Sequence, residues 1–234
     1  MINKYSLEYD GCQYFQNIFE KSLITDLSSI IDDFIIKEKI FHKIYHDPFY
    51  IGKKYNMIYS SQLEGCSITK KTLIVINGRK CSTMMKSSFA ILYPEFIFKD
   101  VFNGVVKIDV IYKLLEKITG RKWFLDNSYI SIHIGCNEGD EYKRKTLKKN
   151  LSMYIPLQDI NNFDDGPMAY IRFSHRIRKL SREYPCIMCP VKIGDFVLYF
   201  QNGLHKNGAQ TNNSLCKIRK NLILNFCLLE NKNL

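Results

Sequence analysis

Two histidines and one arginine in the second half of the chain are of residue types that could bind a metal ion and a carboxylate. His133 lies within the alternating segment NSYISIHIG, and His205 follows the apolar segment DFVLYF. Arg219 comes fourteen residues after His205 and opens another apolar segment, RKNLILNF. Imidazole is a common metal ligand, and a guanidinium group matches a carboxylate in a two-pronged, charge-assisted contact.

The order of these residues fits one kind of mononuclear iron site. Two histidines and one carboxylate hold the metal on one side, which leaves the opposite positions open for a cosubstrate and oxygen. In a jelly roll, one strand provides a His with an acid just beyond it, and a distant strand provides the second His. An Arg on the next strand then binds the far carboxylate of 2-oxoglutarate. His133, His205 and Arg219 are the candidates for these positions, and the 72 residues between the histidines leave room for intervening strands.

Short strands must position these residues. In NSYISIHIG, Ile130, Ile132 and Ile134 alternate with polar residues, which is the period-two pattern of a strand. Further strand-like segments are LSMYIPLQDI, PMAYIRF, DFVLYF and LILNFCLL, with Asn, Asp, Gly and Pro turns between them. Such a series predicts a sandwich, barrel or jelly roll.

The front of the chain has a different pattern. Apolar residues three and four apart over 20–46 and 108–118 predict helices, the second ended by Gly120. We therefore expect one domain over residues 1–234, mainly β with N-terminal helices. Its helical part covers 1–120, and a double-stranded β-helix (jelly roll, cupin-like) covers 121–230.

Two segments resemble the phytanoyl-CoA dioxygenase family of iron- and 2-oxoglutarate-dependent oxygenases. LSMYIPLQDINNFDDGPMAYIRFSHR is similar to its central segment, where a strand ending in Leu-x-Asp precedes a turn, Gly-Pro, a strand and Ser-His. GDFVLYFQNGLHKNGAQTNNSLCKIRKNLILNF is similar to its distal segment. The resemblance covers about residues 123–228. It implies Fe(II) and 2-oxoglutarate as cofactors, His205 as the distal metal ligand, Arg219 as the cosubstrate residue and no ligand role for His175. Phe173 stands where the family motif often has Gly.

The first ligand pair departs from the family, which has His-x-Asp or His-x-Glu. Gly135 stands two residues after His133. Glu138 or Asp140 would then reach back from a longer loop as the third metal ligand. Alternatively, the position is vacant, as in halogenating relatives where chloride occupies it, or the metal site is lost and the domain binds ligands without iron. A fourth alignment places Cys136 and Glu138 in the His-x-acid positions.

The formal net charge of +11 favours anionic partners. Two basic segments, EYKRKTLKK and HRIRKLSR, fall beside the predicted mouth of the jelly roll. Lys143, Arg144 and Arg176 are the candidate substrate-binding residues in them. The sequence has no helix-turn-helix, zinc-finger or aromatic RNA-binding motif, so nucleic acid is not the expected partner.

Other possible metal or redox residues lack the partners that such sites need. The CxxC at Cys186 and Cys189 has no second pair at zinc-site spacing, and His42 and His46 have no evident third ligand. The chain opens with polar residues and has no apolar run near the roughly 18 residues that span a bilayer. Together with cysteines in apolar segments, these features predict a reduced, cytoplasmic location and no membrane span.

These observations predict an Fe(II)- and 2-oxoglutarate-dependent oxygenase. Its expected reaction is hydroxylation of a small anionic metabolite (phosphorylated, nucleotide-linked or CoA-linked) or of a glycan precursor. The alternatives are a halogenase-type enzyme without the metal carboxylate, and a non-catalytic binding module derived from the same fold.

Overall fold

The computed structural model describes residues 5–37, 57–59, 74–80, 85–134, 142–145, 149–177, 185–211, 213–214 and 218–229. Within them the helices are α1 (Leu7–Asp10), α2 (Lys21–Lys37), α3 (Lys99–Val105) and α4 (Ile108–Thr119), with a 3₁₀ turn at Pro94–Phe96. The strands are β1 (Cys12–Phe15), β2 (Met57–Tyr59), β3 (Ile74–Lys80), β4 (Met85–Leu92), β5 (Trp123–Ile134), β6 (Leu151–Pro156), β7 (Met168–Ile171), β8 (Cys186–Cys189), β9 (Phe196–Phe200), β10 (His205–Asn207) and β11 (Ile218–Leu228).

Two sheets form the body of the protein. The larger sheet has the strand order β1-β9-β6-β11-β5-β4-β3-β2, and the smaller has the order β10-β7-β8. All pairings are antiparallel except that of β2 with β3. Side chains from both sheets pack together in one apolar cluster, which includes Tyr154, Met168, Tyr170 and Ile223. The two sheets therefore face each other as a double-stranded β-helix, which confirms the predicted fold class.

The alternation of β5 and β11 sends their side chains to two different places. Ile130 and Ile132 are fully buried on the outer face of the larger sheet, in a cluster shared with the helices. His133 lies on the opposite, inner face, directly across from Arg219 in the register of the two strands. The face assignment made from the sequence is therefore confirmed for residues 129–133.

The helices cover the outer face of the larger sheet. Ile24, Leu27, Ile31 and Ile35 form the buried stripe of α2, at the three- and four-residue spacing of one helix face. A buried cation adds a polar link, since the Nζ of Lys220 on β11 donates to the α2 carboxylate of Asp32 at 2.5 Å and to the carbonyl of Ser28 at 3.1 Å. The predicted helix over 108–118 is confirmed as α4, and Gly120 ends it in the left-handed conformation at φ 67°.

The helical part expected over residues 1–120 also contains strands, and this is a correction. β1 pairs with β9, and β4 pairs with β5, so both extend the larger sheet. These pairings join segments that are far apart in sequence. Strands of only four to eight residues carry little local sequence signal, so these strands were not predicted. The rest of the helix predicted over 20–46, beyond Lys37, lies outside the described residues, as do His42 and His46. No helix in the described part is long and apolar enough to cross a membrane.

Phe173 adopts the conformation of the glycine that the family motif often has at its position. Its φ is 62°, in the left-handed region where a Cβ is disfavoured. The ring packs edge-on against Tyr9 with centroids 5.0 Å apart, and the guanidinium of Arg172 lies 4.9 Å from its centre. The loop thus keeps the shape expected with glycine, while ring contacts offset the backbone strain.

Replacing Phe173 separates these two contributions. Phe173→Ala and Phe173→Gly both lose the ring, but only Phe173→Gly relieves the left-handed backbone. We expect Phe173→Gly to be more stable than Phe173→Ala by about 1 kcal/mol in urea unfolding. Equal stabilities would contradict the left-handed conformation of this residue.

Candidate active site

The histidine of β5 is buried beside a serine of its own strand. His133 is 9% exposed, and its Nε2 lies 2.9 Å from the Oγ of Ser131. Ser131 in turn lines a cavity of about 270 Å³ between the sheets. His133 therefore does not line the cavity itself, but its imidazole contacts Ser131, which does.

The histidine of β10 is held in one tautomer. His205 is buried, and its Nδ1 lies 2.9 Å from the carbonyl oxygen of Gly203. A carbonyl oxygen only accepts, so Nδ1 carries the proton and Nε2 carries the lone pair of the neutral ring. The Tyr199 ring packs against the imidazole with centroids 4.8 Å apart. This tautomer and fixed orientation are what a metal-binding histidine requires.

The guanidinium of Arg219 is buried, and two of its nitrogen donors have no hydrogen-bond partner. The residue is 0% exposed, and its Nη1 donates to the carbonyl oxygens of Gly166 and of Gly208, the latter at 3.2 Å. Its Nε and Nη2 are buried and have no hydrogen-bond partner. A buried donor without a partner costs roughly 1–3 kcal/mol, and more when it is charged. The protein therefore leaves two nitrogen donors of the guanidinium, Nε and Nη2, unmatched, and a carboxylate is the acceptor that matches a guanidinium best.

The turn that receives Arg219 depends on Gly166. Its φ is 70°, and a Cβ there would collide with the Arg219 Nη1 and lie 2.7 Å from the carbonyl oxygen of Gly208. The neighbouring Asp165 holds the same turn, because its carboxylate accepts from the Ser214 hydroxyl at 2.7 Å and from the Asn161 N–H at 3.0 Å. The close approach of backbone to guanidinium explains the Asp-Gly-Pro sequence here.

The described walls of the cavity are aromatic and basic. They comprise Tyr129, Ser131, Lys143, Lys145, Tyr154, Met168, Tyr199, His205, Lys206, Asn207, Asn221 and Ile223. The predicted residues Lys143 and His205 are therefore brought together, while His133 and Arg219 sit beside this wall rather than in it. No aspartate or glutamate is among these described lining residues.

A basic segment runs along the His205 strand. The backbone of Lys143 exchanges hydrogen bonds with that of His205, at 3.1 and 3.2 Å, and the Lys145 N–H donates to the carbonyl of Gln201 at 3.0 Å. Lys145 is exposed as a whole residue, but its ammonium lies 4.9 Å from the centre of the Tyr129 ring. Desolvation of this ammonium by burial lowers the pKa of Lys145 to about 8.

Two predicted substrate-binding residues do not reach the cavity, which is a correction of their placement. The Arg144 guanidinium donates to the backbone carbonyls of Ser174, Asn202 and Ile177, so it ties three loop segments together. The Arg176 Nη2 donates to the carbonyl of Glu8 at 2.6 Å, on α1. Alternation along 142–145 explains the position of Arg144, since neighbouring residues in an extended segment point to opposite sides.

The remaining sequence candidates divide into those outside and those inside the described residues. Glu138, Asp140, Gly135 and Cys136 lie outside, and within the described part no three His, Cys, Asp or Glu side chains form a metal-binding group. The CxxC lies on β8, where Cys186 is exposed and Cys189 is buried. Three residues of strand separate them by about 10 Å, too far for a disulfide.

Lys145, Lys206 and Asn221 are among the cavity residues that were not predicted from the sequence. Asn221 had a usable signal, because it stands two residues after Arg219 on a strand and therefore shares its face. Lys145 relates to Lys143 in the same way. Lys206 follows His205 directly, so strand alternation alone would place it on the other face, yet it lines the cavity.

Comparisons with known proteins identify the fold. No family model and no curated protein matches the sequence. Among solved structures, the non-heme alpha-ketoglutarate-dependent epimerase SnoN from nogalamycin biosynthesis superposes with a TM-score of 0.64 at 11% identity, over 94% of this chain and 79% of that one. EctD from S. alaskensis with bound Fe has a TM-score of 0.61 at 13% identity, over 94% and 74%.

HygX from Streptomyces hygroscopicus, solved with nickel and 2-oxoglutarate bound, has a TM-score of 0.52 at 11% identity, over 94% of this chain and 84% of that one. At these identities the likeness concerns the fold alone. The chain shares the double-stranded β-helix fold of these solved structures. The narrower resemblance to the phytanoyl-CoA dioxygenase family stays a prediction.

Gly166→Ala tests the packing of the buried guanidinium. The added methyl group would meet the Arg219 Nη1 on a backbone with positive φ, so we expect a loss of about 2–4 kcal/mol in urea unfolding. Gly104→Ala in α3 is the control, because its Cβ would meet only the Leu23 Cδ2, at 4.0 Å. That variant should be as stable as the native chain or gain up to about 1 kcal/mol. Similar stabilities for the two variants would show that the Arg219 pocket has more room than described.

Proposed function

We propose that this chain is an Fe(II)- and 2-oxoglutarate-dependent oxygenase, of the phytanoyl-CoA dioxygenase type, that hydroxylates a small anionic metabolite. The observation that carries the proposal is the Arg219 guanidinium, with two buried N–H donors and no partner for them. A five-carbon dicarboxylate bound there would supply the missing acceptors. The fold supports the same class of chemistry.

The residues present fit the dicarboxylate well. Arg219 reaches the carbonyl of Gly208, which directly follows β10, and His205 begins that strand. Three residues of strand separate Gly208 from His205, or about 10 Å. A 2-oxo acid with one carboxylate on the guanidinium would therefore extend along β10 toward His205.

For iron, the described residues supply part of a ligand set. His205 has the ligand tautomer, and His133 lies across the inner face beside Arg219. Glu138 or Asp140 would be the third ligand. Iron held there with 2-oxoglutarate would activate dioxygen, the oxidant: one oxygen atom would enter the substrate C–H bond, and the other would oxidise 2-oxoglutarate to succinate with release of carbon dioxide. Arg219 would orient the cosubstrate, and the Tyr199 ring would hold the His205 imidazole in place and shield it from water.

The anionic substrate is proposed from the cavity walls. Lys143 and Lys145 face the cavity from the segment paired with β10, and Lys206 adds a third cation. Cations without acids between them attract anions and raise their local concentration. Arg144 and Arg176 are left out of this role, because backbone carbonyls occupy their guanidinium groups.

The same lysines favour a second candidate function, a binding module of this fold that works without iron. Ammonium groups near His205 oppose a divalent cation, although the charges of a bound dicarboxylate and an acidic ligand would offset them. Such a module would keep the Arg219 carboxylate site and the basic walls but would not retain metal.

An anaerobic titration with ferrous iron and 2-oxoglutarate tests the proposal. The native chain should develop the visible charge-transfer band of the iron–cosubstrate chelate. Arg219→Gln should raise the 2-oxoglutarate Kd by about tenfold or more, because it removes a charge-assisted pair, with Arg219→Lys in between. His205→Ala should abolish iron retention.

The outcomes separate the two candidate functions. A band in the native chain that is lost in His205→Ala supports the oxygenase. Binding of 2-oxoglutarate without iron retention, still dependent on Arg219, supports the metal-free module. No 2-oxoglutarate binding by the folded native chain rejects both, and circular dichroism of each variant checks that it folds.

The lowered pKa of Lys145 predicts a pH signature. Burial disfavours the ammonium form, so Lys145 should be a cation below about pH 8 and should lose its charge, and its attraction for anions, as the pH rises through that value. Labelling by an amine-reactive reagent, followed by peptide mass spectrometry, should show a midpoint near pH 8 for Lys145. Added 2-oxoglutarate or phosphate should move the midpoint upward, and a midpoint above pH 10 would contradict the desolvated environment.

A further inference from the structure

The side-chain amide of Asn221 is buried without a partner. The residue is 0% exposed, and both its Nδ2 and its Oδ1 are buried and make no hydrogen bond. It lines the cavity two residues beyond Arg219, across from Ser131 in the register of β11 and β5. An amide in this state has lost its hydrogen bonds to water and makes none within the protein, which is energetically unfavourable.

Asn225 shows what a satisfied amide looks like on the same face of the same strand. Its Oδ1 accepts from the Ser152 hydroxyl at 2.6 Å and from the Gln201 Nε2 at 3.0 Å, and its Nδ2 donates to the Asn127 Oδ1 at 2.6 Å. The strand is therefore able to pair a buried asparagine fully. Asn221 differs because it faces the cavity.

The chemistry of the amide restricts the ligand. Nδ2 needs an acceptor and Oδ1 needs a donor. A carboxylate, such as either end of 2-oxoglutarate, satisfies only Nδ2. Hydroxyl groups offer both functions, so a ligand with hydroxyl groups on adjacent carbons would satisfy both ends of the amide.

The rest of the cavity fits such a ligand when it is also anionic. Tyr129, Tyr154 and Tyr199 supply broad ring faces with polar ends, and burial raises the pKa of Tyr199 to about 12, so that its phenol stays neutral. Lys145 and Lys206 supply the positive charge. The volume of about 270 Å³ is enough for a single small ring and its substituent.

We propose that this cavity binds a polyhydroxylated anion, a sugar phosphate or a sugar acid. Its hydroxyl groups bond to the Asn221 amide and its anionic group lies against Lys145, with Lys143 and Lys206 on the same rim. The inference rests on the proposed function only in naming this ligand as the substrate. Binding itself requires neither iron nor 2-oxoglutarate.

Isothermal titration of the full chain tests the proposal with four probes: ribose 5-phosphate, gluconate, inorganic phosphate and ribose. We expect ribose 5-phosphate or gluconate to bind about tenfold tighter than inorganic phosphate and ribose. The stronger of the two shows whether the anionic group is a phosphate or a carboxylate. Equal binding of ribose 5-phosphate, gluconate and inorganic phosphate, or no binding of any probe, would overturn the proposal.

Substitutions test which residues contact the hydroxyl groups and which contact the anionic group of the ligand. Asn221→Leu should remove the advantage of the hydroxylated probes, about tenfold, and leave phosphate binding unchanged. Lys145→Met should weaken every anionic probe, whereas Lys113→Met, an exposed lysine on α4, should change none. Undiminished preference in Asn221→Leu would overturn the assignment of the hydroxyl contact.

A stability measurement checks the Asn221 variant independently of any ligand. Asn221→Leu replaces an unbonded amide by an apolar side chain of similar size, so its urea midpoint should stay or rise. Asn225→Leu breaks three hydrogen bonds and should lower the midpoint. A lowered midpoint in Asn221→Leu as well would show that the Asn221 amide is paired inside the protein. Loss of the iron–cosubstrate band with retained sugar-phosphate or sugar-acid binding would reject the oxygenase but not this site.

Discussion

The buried guanidinium of Arg219 links the two sheets and is incompletely satisfied by the protein. It extends from β11 of the larger sheet to the carbonyl oxygens of Gly166 and Gly208, which flank β7 and β10 of the smaller sheet. Burying a positive charge costs several kcal/mol unless hydrogen bonds and an opposite charge compensate. Nearby, the carboxylate of Asp165 accepts hydrogen bonds from Ser214 and Asn161, and the carbonyl oxygen of Asp165 lies 3.4 Å from the Arg219 Nη1. The Nε and Nη2 donors remain without a partner in the protein, and the close approach of the guanidinium explains the glycine at position 166.

The position of Arg219 depends on the strict alternation of β11. Its neighbour Lys220 points to the outer face, where it bonds to Ser28 and Asp32 of α2. Asn221 returns to the inner face and lines the cavity. Three consecutive polar residues thus serve the proposed cosubstrate site, the attachment of a helix and the proposed substrate site. A shift of register by one residue would exchange all three roles.

The positive charge of the cavity affects both parts of the proposed function, which are metal binding at His205 and binding of an anionic substrate. Lys143 and Lys145 lie on the segment that pairs with the strand of His205, so any metal held by His205 would be close to positive charge. Anionic ligands would offset that repulsion, and 2-oxoglutarate brings two carboxylates. An acidic substrate would add to the effect. Three of the 34 basic residues of the chain thus lie at the cavity.

The sequence by itself determined which residues lie on which face of each strand, because side chains alternate with a period of two whatever the strand pairs with. That rule placed His133 and Ile132 on opposite faces of their strand. The series of short strands predicted the jelly-roll core. The pairing of distant strands was decided only by the tertiary structure, so the four strands β1 to β4 were missed in a part expected to be helical. Side-chain partners were decided there too. Arg144 and Lys145 are adjacent basic residues in the sequence, yet three backbone carbonyls bind the first while the second faces the cavity. Asn221 is one polar residue among many in the sequence, and only the packing around it leaves its amide without a hydrogen bond.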